Sequence, residues 1–153
     1  MSSILIAIGL GFVILAGVIH VLIFLLESVL WRSRSTWRGF GIRSAEDAEV
    51  IRPWALNQGF YNLFLAAGAI VGGGVAFTPR TVQFVTWGLD PSLPGPIVLM
   101  PPVAWIGIFA ALCMLAAAIV LVISSRGKLI RGALIQGAAP LVGLVLIGVG
   151  LAL

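Results

Sequence analysis

The feature that most constrains this chain is a series of four long apolar stretches separated by shorter, more polar segments. They run over residues 4–30, 54–77, 98–124 and 133–153. Each stretch provides the ~20 residues that an α-helix needs to cross ~30 Å of hydrocarbon. The sequence therefore predicts an all-α membrane protein, a single domain over residues 1–153 that folds as a bundle of four transmembrane helices.

Charged residues support this class and predict an orientation. They make up 9% of the chain, whereas a soluble domain carries about a quarter. Eight of the nine Lys and Arg residues lie in the segments after the first and third stretches: Arg32, Arg34, Arg38, Arg43, Arg52, Arg126, Lys128 and Arg131. The positive-inside rule assigns these segments to the cytoplasm and both termini to the opposite side. Because the cations lie in loops beside the membrane, we expect contact with membrane lipids and no nucleic-acid partner.

The first apolar stretch contains an imidazole and a carboxylate. His20 and Glu27 are seven residues apart, so they share a helix face about 10 Å apart along the axis. Ionisable groups in a transmembrane helix usually face the bundle interior or water. They are therefore the candidate catalytic residues. The alternative is that Glu27 is a structural residue that pairs with Arg32 or Arg34.

The second and fourth stretches also carry polar side chains near the predicted cytoplasmic boundary. Asn57 and Tyr61 are four residues apart, as are Gln58 and Asn62, and Gln136 lies near the start of the fourth stretch. Unpaired amides in hydrocarbon are costly, so the side chains need mutual partners, water or a ligand. With Trp31, they are the candidate ligand-binding residues, and the alternative is an amide network that holds the helices together.

The predicted orientation places all these polar groups in the cytoplasmic half of the membrane. The opposite half is almost purely apolar and rich in glycine. This distribution predicts a polar pocket that opens to the cytoplasm and is closed outside. A transport pathway would carry polar groups across the whole thickness.

The chain offers few metal ligands. One histidine, one nearby carboxylate and several amides are a poor set for a transition metal. Cys113 lies among Leu, Met and Ala in the third stretch, where a small core side chain is the expected role. We therefore predict no metal and no cofactor.

Three further patterns concern helix packing and loops. Ser44 followed by Glu46 and Asp47 predicts the start of a short interfacial helix that runs to Pro53, where the helix either kinks or gives way to the second span. Small residues, including Gly68 and Gly72, predict close helix crossings and offer faces for a protein partner or a second copy. The proline-rich segment 78–97 is expected to form an ordered interfacial loop that could meet a partner.

Two blocks share the pattern A-L-x-Q-G, at Ala55–Gly59 and Ala133–Gly137. Both begin helices that are predicted to run outward from the cytoplasm. Two interpretations stay open: an internal repeat of two parallel hairpins, or a chance match of five residues.

Several of these residues together resemble a known family. H-x6-E-x3-W at His20, Glu27 and Trp31, N-Q-G-x-Y-N-x-F-L-A-A-G at Asn57–Gly68, and Q-G-x-x-P at Gln136–Pro140 are similar to the DUF1304 family of small bacterial membrane proteins. The resemblance extends over nearly the whole chain. It implies a four-helix protein of unknown function in a bacterial inner membrane, and it implies no substrate.

Three functions remain from the sequence. The first is a pocket that binds, and by acid-base chemistry modifies, a small amphipathic or lipid-like molecule; whether the protein is an enzyme stays open. The second is an accessory or structural subunit of a larger membrane complex. The third is a small transporter, which the apolar outer half argues against.

Overall fold

The computed structural model describes residues 2–77, 83–84 and 98–153. The element order is α1 (Ser2–Phe24), a π-helical turn (Leu25–Val29), α2 (Arg34–Gly39), α3 (Ala45–Gly74), a 3-10 turn (Val75–Phe77), β1 (Gln83–Phe84), β2 (Val98–Leu99), α4 (Pro102–Ser124) and α5 (Ile130–Ala152). Four segments are long and apolar enough to span a membrane: Ser3–Val29, Ala45–Phe77, Pro102–Ser124 and Ile130–Ala152. The all-α, four-helix prediction is confirmed, and the chain is a multi-pass membrane protein.

The four long helices form a closed ring. Helix α1 packs on α3 and α5, and α4 packs on the same two helices, so neighbours in sequence are neighbours in space and the first helix meets the last. The ring encloses a core of small and aliphatic side chains that includes Ile6, Leu10, Val13, Ala111 and Met114. Because consecutive helices run in opposite directions, the basic segments 30–44 and 125–129 lie at one end, called here the basic end.

Glycines bring the helices together at specific crossings. A methyl group added at Gly72 would overlap the backbone of Gly107, and one added at Gly9 would lie 2.8 Å from the carbonyl oxygen of Gly143. In the predicted G-x-x-x-G pattern, Gly72 makes the close crossing, whereas a methyl group at Gly68 would make only an ordinary contact, 3.5 Å from Ala110 Cβ. These glycines pack against neighbouring helices inside the bundle.

A second, smaller core lies at the basic end. Trp31, Trp37, Ala48 and Ala55 are buried together, with Phe40, Ile42 and Ile51 packed against them. The Trp31 indole N–H donates to the Ala48 carbonyl oxygen at 2.9 Å. We call residues 30–52 the cap, because they fold over the basic end on this core.

Helix α3 begins where the serine pattern predicts and continues further than expected. The Ser44 hydroxyl accepts a hydrogen bond from the Asp47 N–H at 3.0 Å, which caps the first turn. The helix then runs through Pro53 without interruption, so the interfacial segment and the second span are one helix of 30 residues. The short helix α2 had no counterpart among the predicted elements.

The remaining boundaries differ from the predicted ones by a few residues. Helix α4 begins at Pro102, because residues 98–99 pair antiparallel with residues 83–84. Helix α5 begins at Ile130 and passes through Pro140, which is buried. Except for residues 83–84, the predicted loop 78–97 lies outside the described residues, and so does its predicted partner contact.

Candidate functional site

The centre of the candidate site is a hydrogen bond between Glu27 and Asn62. The Asn62 side-chain Nδ2 donates to Glu27 Oε2 at 2.8 Å and links α1 to α3. Both side chains are buried, with 9% of Glu27 and 8% of Asn62 exposed. Neither Arg32 nor Arg34 forms an ion pair with Glu27 in the described part of the chain, where the one ion pair is Arg52 with Glu49.

One oxygen of the Glu27 carboxyl group remains free to accept a hydrogen bond. Oε1 has no hydrogen bond to the described residues. Every fully buried side-chain oxygen in that part of the chain does have a hydrogen-bond partner. It follows that Oε1 reaches an accessible surface. The carboxyl group is thus fixed through one oxygen, while the other can accept a hydrogen bond from a ligand or from water.

Asn62 is fixed by a second bond. Its Nδ2 also donates to the backbone carbonyl of Gln58 at 3.1 Å, so both N–H groups of the amide are used. The position of the amide is therefore set by α3 itself, and Glu27 is bound to a group that is already held in place.

A π-helical turn presents Glu27. The turn covers Leu25–Val29, and the Leu30 N–H donates to the Leu25 carbonyl oxygen at 2.8 Å. Such a turn holds one more residue than an α-helical turn, and π-helical turns are frequent at functional sites. It shifts the register of the chain where α1 leaves the bundle and enters the cap.

Gly59 allows the two helices to meet at this point. A methyl group at Gly59 would overlap Ser28 Oγ and would lie 3.2 Å from Glu27 Cβ. The Ser28 hydroxyl also donates to the Leu56 carbonyl oxygen at 3.3 Å. Ser28 and Gly59 were not among the predicted site residues, although Gly59 lies within the N-Q-G block that drew attention to this region.

His20 is held separately, in the interior of the bundle. It is 1% exposed, and its Nδ1 lies 2.9 Å from the Ala16 carbonyl oxygen. A carbonyl oxygen can only accept, so Nδ1 carries the hydrogen and Nε2 is the nitrogen left to exchange a proton. No direct hydrogen bond joins His20 to Glu27.

The other polar residues of α3 lie on its surface. Asn57, Gln58 and Tyr61 are exposed, and Tyr61 has 55% of its surface accessible. At about 100° per residue, Gln58 lies between two faces of α3. One face contacts α1 through Gly59 and Asn62, and the other contacts α4 through Gly72. The exposed Gln58 side chain is thus not covered by a neighbouring helix.

Burial of the side chains decreases toward the basic end along one heptad row of each helix. On α3, Gly72 is buried, Leu65 is partly buried and Gln58 is exposed. On α4, Ala110 is buried and Ala117, seven residues closer to the basic end, is exposed. Gln58, Leu65 and Ala117 outline a region where we hypothesise that α3 and α4 diverge toward the basic end. We call this region the α3–α4 gap.

The last two predicted residues lie apart from the Glu27–Asn62 pair. Trp31 belongs to the cap core, where its indole nitrogen is already bonded to Ala48. Gln136 lies half-buried on α5. A depression of about 330 Å³ lies in the cap, lined by Gly41, Ile42, Arg43, Asp47, Val50 and Ile51. It contains none of the predicted site residues.

The described residues include no group of three or more His, Cys, Asp and Glu side chains that could hold a metal ion. The chemistry that this arrangement offers is hydrogen bonding by amides and a phenol, and proton transfer by a carboxyl group and an imidazole.

One family model matches this chain, under the description "Protein of unknown function (DUF1304)", over residues 5–89. No curated protein and no solved structure matches. The matched range contains His20, Glu27, Trp31 and the block Asn57–Asn62. It ends before Gln136, so it is shorter than the resemblance over nearly the whole chain that the sequence predicted. Because the match covers more than half of the chain, the protein belongs to the DUF1304 family.

Proposed function

We propose that this protein binds the polar end of a small amphipathic or lipid-like molecule in the α3–α4 gap. The observation that carries the proposal is the buried Glu27–Asn62 pair, with one carboxyl oxygen accessible inside an otherwise apolar bundle. An ionisable residue inside a transmembrane bundle is costly and commonly marks a functional site.

The surroundings of the pair indicate the chemical class of the ligand. Gln58 and Tyr61 can orient a polar group at the basic end of the gap, and Asn57 lies beside them on α3. Deeper in the gap, the side chains are apolar, at Leu65 and Ala117. A ligand that matches both parts has a hydrogen-bonding head and an apolar tail.

The far end of the bundle argues for binding rather than transport. The contact between Gly72 and Gly107 closes the α3–α4 interface at that end, and the contact between Gly9 and Gly143 brings α1 and α5 into close contact. A transported molecule would need a polar path between these helices.

The same site has the groups for acid-base chemistry. In the proposal, Glu27 gives or takes a proton at the ligand. His20 is held separately in the bundle interior, so it would act as a second proton carrier through Nε2 only by way of an intervening water. Gln136, half-buried on α5, lies apart from this site and has no role in the proposal. The protein lies in a bacterial inner membrane, and its basic end faces the cytoplasm.

A second candidate function is that of an accessory subunit of a membrane complex. The observation in its favour is that the Glu27–Asn62 bond joins two helices, as interhelical hydrogen bonds do in structural sites. The partner would then contact lipid-facing aromatic residues such as Trp54 and Phe64, together with the segment 78–97.

Native mass spectrometry of the protein extracted gently from its own membrane tests the first proposal. The wild type is compared with Glu27→Gln, which keeps the size of the side chain and removes its ability to ionise. Glu46→Gln is the matched control, because Glu46 is exposed at the same end of the protein. We expect a stoichiometric small molecule in the wild type and the control, and its loss in Glu27→Gln.

Two outcomes would contradict the binding proposal. One is a small molecule that is retained equally by all three proteins. The other is the absence of any small molecule together with stoichiometric protein partners in all three, which would support the accessory subunit instead.

A further inference from the structure

The basic end carries a large excess of exposed positive charge. Seven cations are exposed there, and none has a carboxylate partner within the described residues: Arg32, Arg34, Arg38, Arg43, Arg126, Lys128 and Arg131. Glu46, Asp47 and Glu49 are exposed in the same region, and Glu49 pairs with Arg52. The patch therefore keeps a net positive charge.

The cap holds four of these cations on a folded support. Its core of Trp31 and Trp37 fixes α2, which carries Arg34 and Arg38. The Arg38 guanidinium lies over the Trp37 ring, 5.9 Å from its centroid. The cations of the cap are therefore attached to a folded surface and not to an unstructured loop.

The turn between α4 and α5 and the first turn of α5 add the other three cations and lie beside the cap. A methyl group at Gly41 in the cap would lie 3.9 Å from Leu129 Cδ2 in the turn. The two basic segments are separated by more than 80 residues in sequence, and this proximity makes them one continuous surface.

The backbone of the turn is well hydrogen-bonded and holds Arg126 in an unusual conformation. Each backbone N–H from Ser125 to Ile130 has an acceptor. Arg126 has a positive φ of 52°, a region that favours Gly and Asn and costs energy for a long side chain. A position that would be more stable with Asn nevertheless carries an arginine.

We propose that this surface, made of the cap and the α4–α5 turn, binds the headgroups of anionic phospholipids in the adjacent leaflet. Its position at the ends of the spans places the cations at headgroup height, where an arginine guanidinium makes paired hydrogen bonds with phosphate. The surface is distinct from the Glu27–Asn62 site and does not depend on the function proposed for that site.

The test measures the thermal unfolding of the whole protein in a neutral detergent during titration with lipid. Phosphatidylglycerol is the anionic probe and phosphatidylcholine the zwitterionic one. For the wild type, we expect phosphatidylglycerol to raise the melting temperature, phosphatidylcholine to leave it nearly unchanged, and added salt to weaken the effect.

Arg126→Asn is the most informative variant, because it removes a charge and relieves the backbone strain. Without lipid, its melting temperature should equal or exceed that of the wild type, so a folding defect cannot explain its result. Its apparent affinity for phosphatidylglycerol should fall about fivefold, the effect of one cation near an anionic surface. The double variant Arg34→Gln with Arg43→Gln should lose more, and Arg80→Gln, in the connection between α3 and α4, should match the wild type.

Three results would overturn the proposal. The first is an equal response to the two lipids, and the second is an unchanged affinity in Arg126→Asn and in the double variant. The third is the same stabilisation by inorganic phosphate alone, because the surface would then bind free phosphate and not a lipid headgroup.

Discussion

Asn62 has the most constrained side chain of the candidate site. Its Nδ2 donates both to Glu27 and to the Gln58 carbonyl oxygen, so the amide connects α1 to the backbone of α3. Without this amide, Glu27 would be left buried with no partner, and an unsatisfied buried acceptor costs about 1–3 kcal/mol. The stability of the bundle and the position of the carboxyl group thus depend on the same contact.

A double-mutant cycle measures this contact. We expect Asn62→Ala to lower the free energy of unfolding by about 1–3 kcal/mol. The double variant with Glu27→Ala should cost less than the sum of the two single changes, by about 0.6–1.7 kcal/mol. Unfolding in detergent micelles gives the values, with Asn57→Ala as the control because Asn57 is exposed on the same helix. Strictly additive effects would show that the two side chains do not interact.

Gly59 is the second residue on which the geometry depends. A methyl group there would overlap Ser28 Oγ and approach the Phe24 carbonyl oxygen to 3.3 Å. We expect Gly59→Ala to lower the free energy of unfolding by about 1–3 kcal/mol, the usual cost of overpacking. Gly11→Ala is the control, because no atom lies within 4 Å of the added methyl group. In α1 it should stabilise by about 0.5–1 kcal/mol. A neutral Gly59→Ala would mean that α1 and α3 are further apart than described.

At the scale of the helices, the crossing of α3 and α4 determines where the proposed gap would open. Gly72 and Gly107 touch through their backbones at the end opposite the cap. Because the helices meet there, any divergence between them opens toward the basic end, where Gln58 and Ala117 are exposed.

A pair of substitutions on one face of α3 tests this crossing. Gly72→Ala places its methyl group against the Gly107 backbone, which cannot move aside, so we expect a loss of about 1–3 kcal/mol in the free energy of unfolding. Gly68→Ala makes only ordinary contacts at 3.5 Å, and its effect should stay within about 0.5 kcal/mol. Equal effects of the two changes would contradict the close crossing.

Sequence patterns predicted the long helices well because span length and apolar composition are local properties. They failed where a contact between distant parts of the chain determines the local helix structure. Pro53 was expected to kink or begin a helix, yet α3 passes through it, since Trp31 and the cap core hold the first turns of α3 in place. The π-helical turn that presents Glu27 also had no recognisable sequence pattern.

The site was predicted in part. His20, Glu27 and Asn62 are buried polar residues, and ionisable or amide groups inside an apolar stretch are visible in any sequence. Their pairing is not visible, because it depends on how α1 and α3 are rotated and on Gly59. The role of Trp31 in the cap core also depends on a contact with Ala48, 17 residues away.

For the whole molecule, the distribution of charge predicts the orientation in the membrane. Among the described residues, seven cations without an ion-pair partner lie at one end, and Ser3 and Leu153 lie at the other. Single cysteines in a Cys113→Ala background test this prediction. In intact cells, a membrane-impermeant maleimide should label Leu153→Cys and should label Ser35→Cys only after permeabilisation. The reverse pattern would contradict the positive-inside assignment.

The α3–α4 gap is the central claim, and cysteine reactivity toward a charged, water-soluble thiol reagent tests it most directly. Gln58→Cys and Leu65→Cys lie one heptad apart along the gap, and Phe64→Cys, whose parent side chain is 64% exposed, faces lipid beside them. If water enters the gap, Gln58→Cys reacts fast, Leu65→Cys reacts slowly, and Phe64→Cys does not react because hydrocarbon excludes the reagent. If Gln58→Cys is as unreactive as Phe64→Cys, then α3 and α4 are sealed at the basic end, and the proposed binding site does not exist.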